Sequence, residues 1–255
     1  LLLKFGGALK LILPALFKAP FMFSILLNIG VYAFLYSTQY GIEYGVVYGT
    51  GIVALIFVHE MGHLIAARMT DTETTNPFFI PMMGAVIGVK GYRNSTVEAI
   101  NGIGGPILGT IGAMAVFGMA TLFGVNTPWG SLFVRLAYLG FFINFFNMIP
   151  VTFGGGFTLD GGRILQAVSK WFYVAGVAML GAMVALNVFH SVFVLIFLVL
   201  AIYGTYKRFQ RPDDPTYNTT TPSGKAVIGL SYLALLVFLV VSMASTEQFF
   251  MSGTL

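Results

Sequence analysis

Ile52-Val53-Ala54-Leu55-Ile56-Phe57-Val58-His59-Glu60-Met61-Gly62-His63-Leu64-Ile65-Ala66-Ala67 is an apolar run broken at three positions by ionisable side chains. With the residues before it, the stretch 46–67 is long enough to cross a hydrocarbon core of about 30 Å as a helix. A charged group near the centre of such a helix costs about 2.5–3.5 kcal/mol, so His59, Glu60 and His63 persist there only with a partner. Residues four apart face the same way on a helix, and His59 and His63 therefore present two imidazoles to one point. Glu60 is turned from His59 by about 100° and cannot join them as a ligand from the same face, but it reaches a water beside them. These residue types at this spacing match the pattern His-Glu-x-x-His, in which two histidines hold Zn²⁺ and the glutamate is a general base.

Outward from this run, the rest of the chain supports a membrane environment. Of 255 residues, 57% are hydrophobic and 9% charged, more apolar surface than a soluble domain of that length buries. The fold class expected is an all-α polytopic membrane protein with about seven transmembrane helices, near 20–37, 46–67, 97–124, 130–150, 171–188, 190–206 and 226–244. Ser95 with Glu98 suggests a capping box for the third span, and Ser223 a cap for the last. The spans divide the chain into an N-terminal interfacial segment with the first helix (1–45), a central region that carries the His-Glu-x-x-His motif (46–168) and C-terminal transmembrane helices (169–255). The first residue is leucine, which suggests that the chain begins further upstream.

The absence of cysteine excludes disulfides, iron–sulfur ligation and thiol catalysis, and leaves any metal to His, Asp and Glu. The net charge of +4 reflects Lys and Arg flanking membrane spans, so nucleic acid is not an expected partner. A cytoplasmic N-terminus puts Lys4, Lys10, Lys18, Arg68, Lys90, Arg93, Arg163, Lys170, Lys207, Arg208, Arg211 and Lys225 inside and leaves Arg135 outside. The expected location is therefore the cell membrane, multi-pass, with the C-terminus extracytoplasmic.

Residues 76–90 are apolar but broken by Pro77, Pro81, Gly84 and Gly88. Irregular backbone at membrane depth needs protein or water to satisfy its polar groups, so this stretch is expected to be a re-entrant, strand-like loop. Gly84, Ala85, Val86, Ile87 and Gly88 would offer a strand edge for substrate.

A catalytic zinc usually takes three protein ligands. His190 falls at a turn on the outer side, whereas Arg68 puts the motif toward the cytoplasmic end of its span. Asp71, Glu73, Asp213 and Asp214 lie in polar loops, and Glu43 and Glu247 are outside. Asp160, in Leu159-Asp160-Gly161-Gly162-Arg163, follows the fourth span on the cytoplasmic side, where glycines allow close backbone approach.

A membrane-embedded His59-Glu60-Met61-Gly62-His63 followed by Asn147-Met148-Ile149-Pro150 and Leu159-Asp160-Gly161 resembles the site-2 protease family of intramembrane metalloproteases. The resemblance implies a three-span catalytic metalloprotease core over about 46–168, with zinc held by His59, His63 and Asp160, Glu60 as base, and Asn147 close to bound substrate. The substrate implied is a transmembrane protein or peptide, cleaved in regulated intramembrane proteolysis or in clearance of membrane peptides. The run Val151-Thr-Phe-Gly-Gly-Gly-Phe-Thr158 is several residues longer than the family's usual spacing, and bears on how Asn147 and Asp160 are placed. No stretch resembles the PDZ or CBS regulatory domains of some relatives. A divalent-metal transporter is the competing class, with the histidines and Asp160 lining an ion path; an acid such as Glu60 beside the first ligand is a need of hydrolases. A silent peptide chaperone would have lost a ligand or the base.

Overall fold

The computed structural model describes residues 19–75, 78–80, 84–154, 157–186 and 192–252. In chain order the elements are α1 (Ala19–Tyr40), α2 (Ile42–Met69), β1 (Phe78–Ile80), β2 (Gly84–Val86), α3 (Ser95–Phe123), α4 (Pro128–Asn147), β3 (Thr152–Gly154), β4 (Phe157–Thr158), α5 (Asp160–Leu165), α6 (Phe172–Ala185), α7 (Val192–Gln210) and α8 (Pro222–Ser252). The interfacial segment expected before residue 19 and the turn expected at 187–191 lie outside the described residues.

The chain is an all-α polytopic membrane protein carrying two small hairpins. Ile42–Met69, Ser95–Phe123, Pro128–Asn147 and Pro222–Phe249 are each long and apolar enough to cross a membrane. Of the expected span 171–188, the described residues form α6, with 14 residues and a length of about 21 Å.

The helix α2 carries apolar residues on every side, interrupted by His59, Glu60 and His63, and a helix without a separate polar face belongs in the interior or the membrane. It packs against α1, α3 and α4, while α8 covers α4 and part of α3. Glycines set the closest approach. A Cβ on Gly62 would lie 2.1 Å from the Gly104 carbonyl oxygen, and one on Gly104 would lie 2.5 Å from that of Gly62, so α2 and α3 touch backbone to backbone just beside His63. A short helix, α5, packs on α3 at Gly102, where a Cβ would meet the Asp160 carbonyl oxygen at 3.3 Å. That contact carries Asp160 to the histidine face of α2.

The helix caps differ from the sequence reading. Asn94, not Ser95, caps α3 by accepting the Val97 amide at 2.9 Å. Ser95 instead shares a hydrogen bond with the Thr220 hydroxyl at 2.9 Å, and Glu98 accepts the Tyr217 hydroxyl. Both contacts fasten the linker between α7 and α8 onto the start of α3. Thr221, rather than Ser223, accepts the Gly224 amide at the start of α8. Lys170 and Arg208 hydrogen-bond Asp213 in the same linker, at 2.6 and 3.0 Å, and hold its carboxyl below the usual carboxylate range.

The segment expected to be strand-like is an antiparallel hairpin, β1 pairing with β2 in the register Phe78 to Val86, Phe79 to Ala85 and Ile80 to Gly84. The pairing continues toward α3 through a bridge between Thr74 and Val89. β1 packs beside α1, and β2 beside α2. A second hairpin, β3 with β4, accounts for the long spacing before Leu159. Its base is closed by the Leu159 amide donating to the Val151 carbonyl at 3.1 Å, so the additional residues project as a hairpin and leave Met148 and Asp160 close together. A Cβ on Gly161 would lie 1.9 Å from the Met148 carbonyl oxygen, which leaves that position to glycine.

Candidate active site

The helix α2 carries His59 and His63 one turn apart, and α5 brings Asp160 against both. His59 Nε2 and His63 Nε2 are 3.2 Å apart, and they lie 3.2 and 3.3 Å from Asp160 Oδ2.

The outer nitrogens determine what these atoms can do. Asn144 donates its amide to the Gly140 carbonyl at 2.7 Å, which turns its oxygen toward His59 Nδ1 at 2.8 Å. His59 Nδ1 must therefore be the donor in that pair. His63 Nδ1 faces the Asn101 backbone carbonyl at 2.7 Å, a group that only accepts, so it too carries hydrogen. In the neutral imidazoles both Nε2 atoms are then lone pairs, aimed at each other and at a carboxylate oxygen that is buried with no hydrogen-bond donor. Three acceptors converge with no hydrogen between them. One extra proton would bridge only one of the three contacts, whereas a divalent cation bridges all. The edges of a tetrahedron with zinc bonds of about 2.0–2.1 Å are about 3.3 Å long, and the three separations match that length. His59, His63 and Asp160 thus fit a metal ion in charge, donor type and spacing, and among the described residues they form the one such group.

Glu60 is buried and lies outside the ligand trio. It lines the same cavity of about 390 Å³, as do His59, His63 and Asp160. The cavity walls are Tyr32 and Tyr36 from α1, Ile87 and Val89 from the first hairpin, Phe142, Phe146 and Asn147 from α4, and Phe157 from the second hairpin. Its lining is mostly apolar, and His59, Glu60, His63, Asp160 and Arg163 are the ionisable groups on it apart from tyrosines.

The other residues singled out from sequence are placed as follows. Asn147 is half-buried and lines the cavity. Ile87 lines it too, and the Gly88 amide donates to the Thr75 hydroxyl at 2.9 Å. Gly84, Ala85 and Val86 form β2, their side chains lying outside the described residues. His190 lies outside them as well. Asp71 and Glu73 pair with Arg93 and Lys90, away from the trio.

Sequence reasoning missed Asn144 and Asn101. Both are buried, and each fixes one histidine by its outer nitrogen, the arrangement that sets tautomer and orientation in metal sites. A polar residue in the last turn of the apolar helix Pro128–Asn147, one turn before the Asn147 already singled out, was a usable signal for Asn144. Asn101 contributes its main-chain oxygen, which no side-chain pattern reports. Gly105 and Gly109 make room: a Cβ on the first would lie 2.2 Å from His63 Nε2, and one on the second 2.2 Å from Asn144 Oδ1. Asn144→Ala is expected to lower zinc affinity by about 10- to 100-fold with the fold intact. Competition against a chromophoric chelator measures this, and unchanged affinity would show that the Asn144 contact does not orient His59.

No protein-family model matches the chain, and no curated protein matches it. Among solved structures it is similar to one described as the site-2 protease from Methanocaldococcus jannaschii, with 18% identity, 75% of this chain and 90% of that chain covered, and a TM-score of 0.48. At that identity the chemistry has to be read from the site itself.

Proposed function

We propose that this protein is an intramembrane zinc metalloprotease that hydrolyses peptide bonds within or beside transmembrane segments of membrane proteins or peptides. The observation that carries the reading is the convergence of His59 Nε2, His63 Nε2 and Asp160 Oδ2 at 3.2–3.3 Å, with a buried glutamate lining the same cavity. His59, His63 and Asp160 would hold the zinc; when bound, it supplies Lewis acidity that acidifies water and polarises the scissile carbonyl. Glu60 accepts the proton of the attacking water and returns it to the leaving amine. Asn147 offers an amide on the cavity wall to the backbone of an unwound substrate. The apolar part of the wall lowers the local dielectric, which strengthens each of these polar interactions. The positive-inside distribution supports a cytoplasmic N-terminus and a site toward the cytoplasmic side.

A helical substrate hides its carbonyls in its own hydrogen bonds and must be unwound before attack. The first hairpin supplies replacement partners by strand addition. The Thr75 amide donates to the Gly88 carbonyl at 2.8 Å and the Lys90 amide to the Glu73 carbonyl at 3.2 Å. These two bonds flank Val89, so the Val89 amide and carbonyl point away from the ladder, at a residue that also lines the cavity. Val89→Pro removes that outward donor without removing a ladder bond. The loss of one hydrogen bond, about 0.5–1.5 kcal/mol, is expected to raise KM for a membrane peptide about two- to twelvefold with kcat little changed. Steady-state cleavage in detergent tests this; unchanged KM would remove strand addition at this edge.

A further inference from the structure

A second cavity, of about 610 Å³, lies behind the β3–β4 hairpin between the end of α7 and the linker that follows it. Its lining is polar and aromatic, with Lys207, Arg208 and Arg211 on one side and Tyr203 and Tyr217 among the rings. Two carboxylates also face it, and both are engaged. Glu98 accepts the Tyr217 hydroxyl, and Asp214 accepts the Thr216 amide and hydroxyl at 2.8 and 2.7 Å. Of the cations, Arg208 is paired with Asp213 at 3.0 Å. Lys207 lies over the Tyr203 ring at 5.8 Å from its centroid, and the Arg211 guanidinium has no ion pair with a described residue. The cavity therefore keeps two cations without a carboxylate partner, beside hydroxyls, in a space of ligand size.

The two cavities share a wall. Thr158 lines both, Phe157 faces the catalytic one, and Thr152 and Gly154 face the other. Thr158 is also tied to the ligand loop: a Cβ on Gly162, two residues after Asp160, would lie 2.7 Å from Thr158 Cγ2. On the other side the hairpin rests on α7, where a Cβ on Gly204 would lie 2.1 Å from the Thr152 carbonyl oxygen. The helix that carries Lys207 is thus packed directly on the wall that carries Thr158.

We propose that the second cavity binds a phosphate monoester, from a lipid headgroup or a soluble molecule, and that its occupancy controls the catalytic cavity through the β3–β4 hairpin. The control of catalysis rests on the proteolytic reading above; the binding site does not. The geometry favours an anion held by Lys207 and Arg211, with its non-phosphate part against the tyrosine rings. A charged hydrogen bond of this kind at each cation stabilises the complex strongly.

The test uses the full chain carrying Glu60→Gln, so that binding is read without turnover, titrated calorimetrically with inorganic phosphate, adenosine 5′-monophosphate and dihexanoyl phosphatidic acid. At least one probe is expected to bind, and the double variant Lys207→Ala/Arg211→Ala to weaken it by at least about tenfold. Lys225→Ala, outside the cavity, should leave it unchanged, with melting temperatures confirming that each variant is folded. Binding of phosphatidic acid alone assigns a lipid source, and binding of the soluble probes a free one. Equal binding by the double variant, or binding of none of the three, overturns the site. Hydrogen exchange of the β3–β4 amides should slow on binding, and cleavage by the unsubstituted protein should change by about fivefold or more. Binding with neither change overturns the control; a protein that cleaves nothing while binding and exchange behave as stated overturns the proteolytic reading and leaves the site standing.

Discussion

Glu60→Gln is expected to stop cleavage of a transmembrane peptide while zinc stays at about one per chain. The substitution keeps the side chain's shape and its capacity to hydrogen-bond, and removes only the basic oxygen. Glu60 is buried beside the ligands but is not one of the three converging atoms, so the metal should not depend on it. General-base contributions alone run to about 10²–10⁴ in rate, and because the same carboxylate serves both proton transfers the loss should reach the upper part of that range. On the proposed mechanism the substrate binds to the cavity walls, so the variant should retain uncleaved peptide. Cleavage assays paired with elemental analysis and pull-down of the intact peptide separate these effects. Near-normal cleavage with zinc present would remove Glu60 from the mechanism, and metal uptake into vesicles that needs His59 and His63 but not Glu60 would point to a transporter.

Asp160→Ala should cost both metal and activity. The Asp160 Oδ2 atom contacts both histidine Nε2 atoms, and without it two imidazoles remain, one short of the three protein ligands of a stable catalytic zinc. Zinc is expected to fall from about one per chain to near zero after dialysis, and cleavage with it. The variant should still fold, because removing a buried carboxylate that has no donor also removes an unfavourable desolvation. Full zinc retention in Asp160→Ala would mean that another residue completes the shell.

Much of this site was legible because its chemistry is periodic. A spacing of four on a helix fixed the direction of His59 and His63, and two glycines after Asp160 marked a place where backbones meet closely. Prolines and glycines in 76–90 signalled broken helix, and a hairpin forms there. Less legible was whatever depends on partners distant in sequence. The choice of Asn94 over Ser95 as cap turns on Thr220 and Tyr217, more than a hundred residues away, which draw Ser95 and Glu98 off the capping role. Asn144 lies three residues from Asn147, and only packing against α2 decides that its oxygen meets His59 Nδ1. The second hairpin is too short for a period-two pattern to register against its glycines. The apolar stretch at 171–188 has the composition of a span, but its regular helix stops at Ala185, and composition carries no signal for that.

The most direct measurement of the central claim is mass spectrometry of a single-span peptide incubated with the purified protein in proteoliposomes, before and after chelation and after zinc is restored. The account predicts two product masses that sum to the substrate plus one water, with the cut inside or beside the apolar segment. Chelation should abolish the products and zinc should restore them, and Glu60→Gln protein should yield none. Products that persist after the zinc has been removed, or that appear equally with Glu60→Gln, would contradict it.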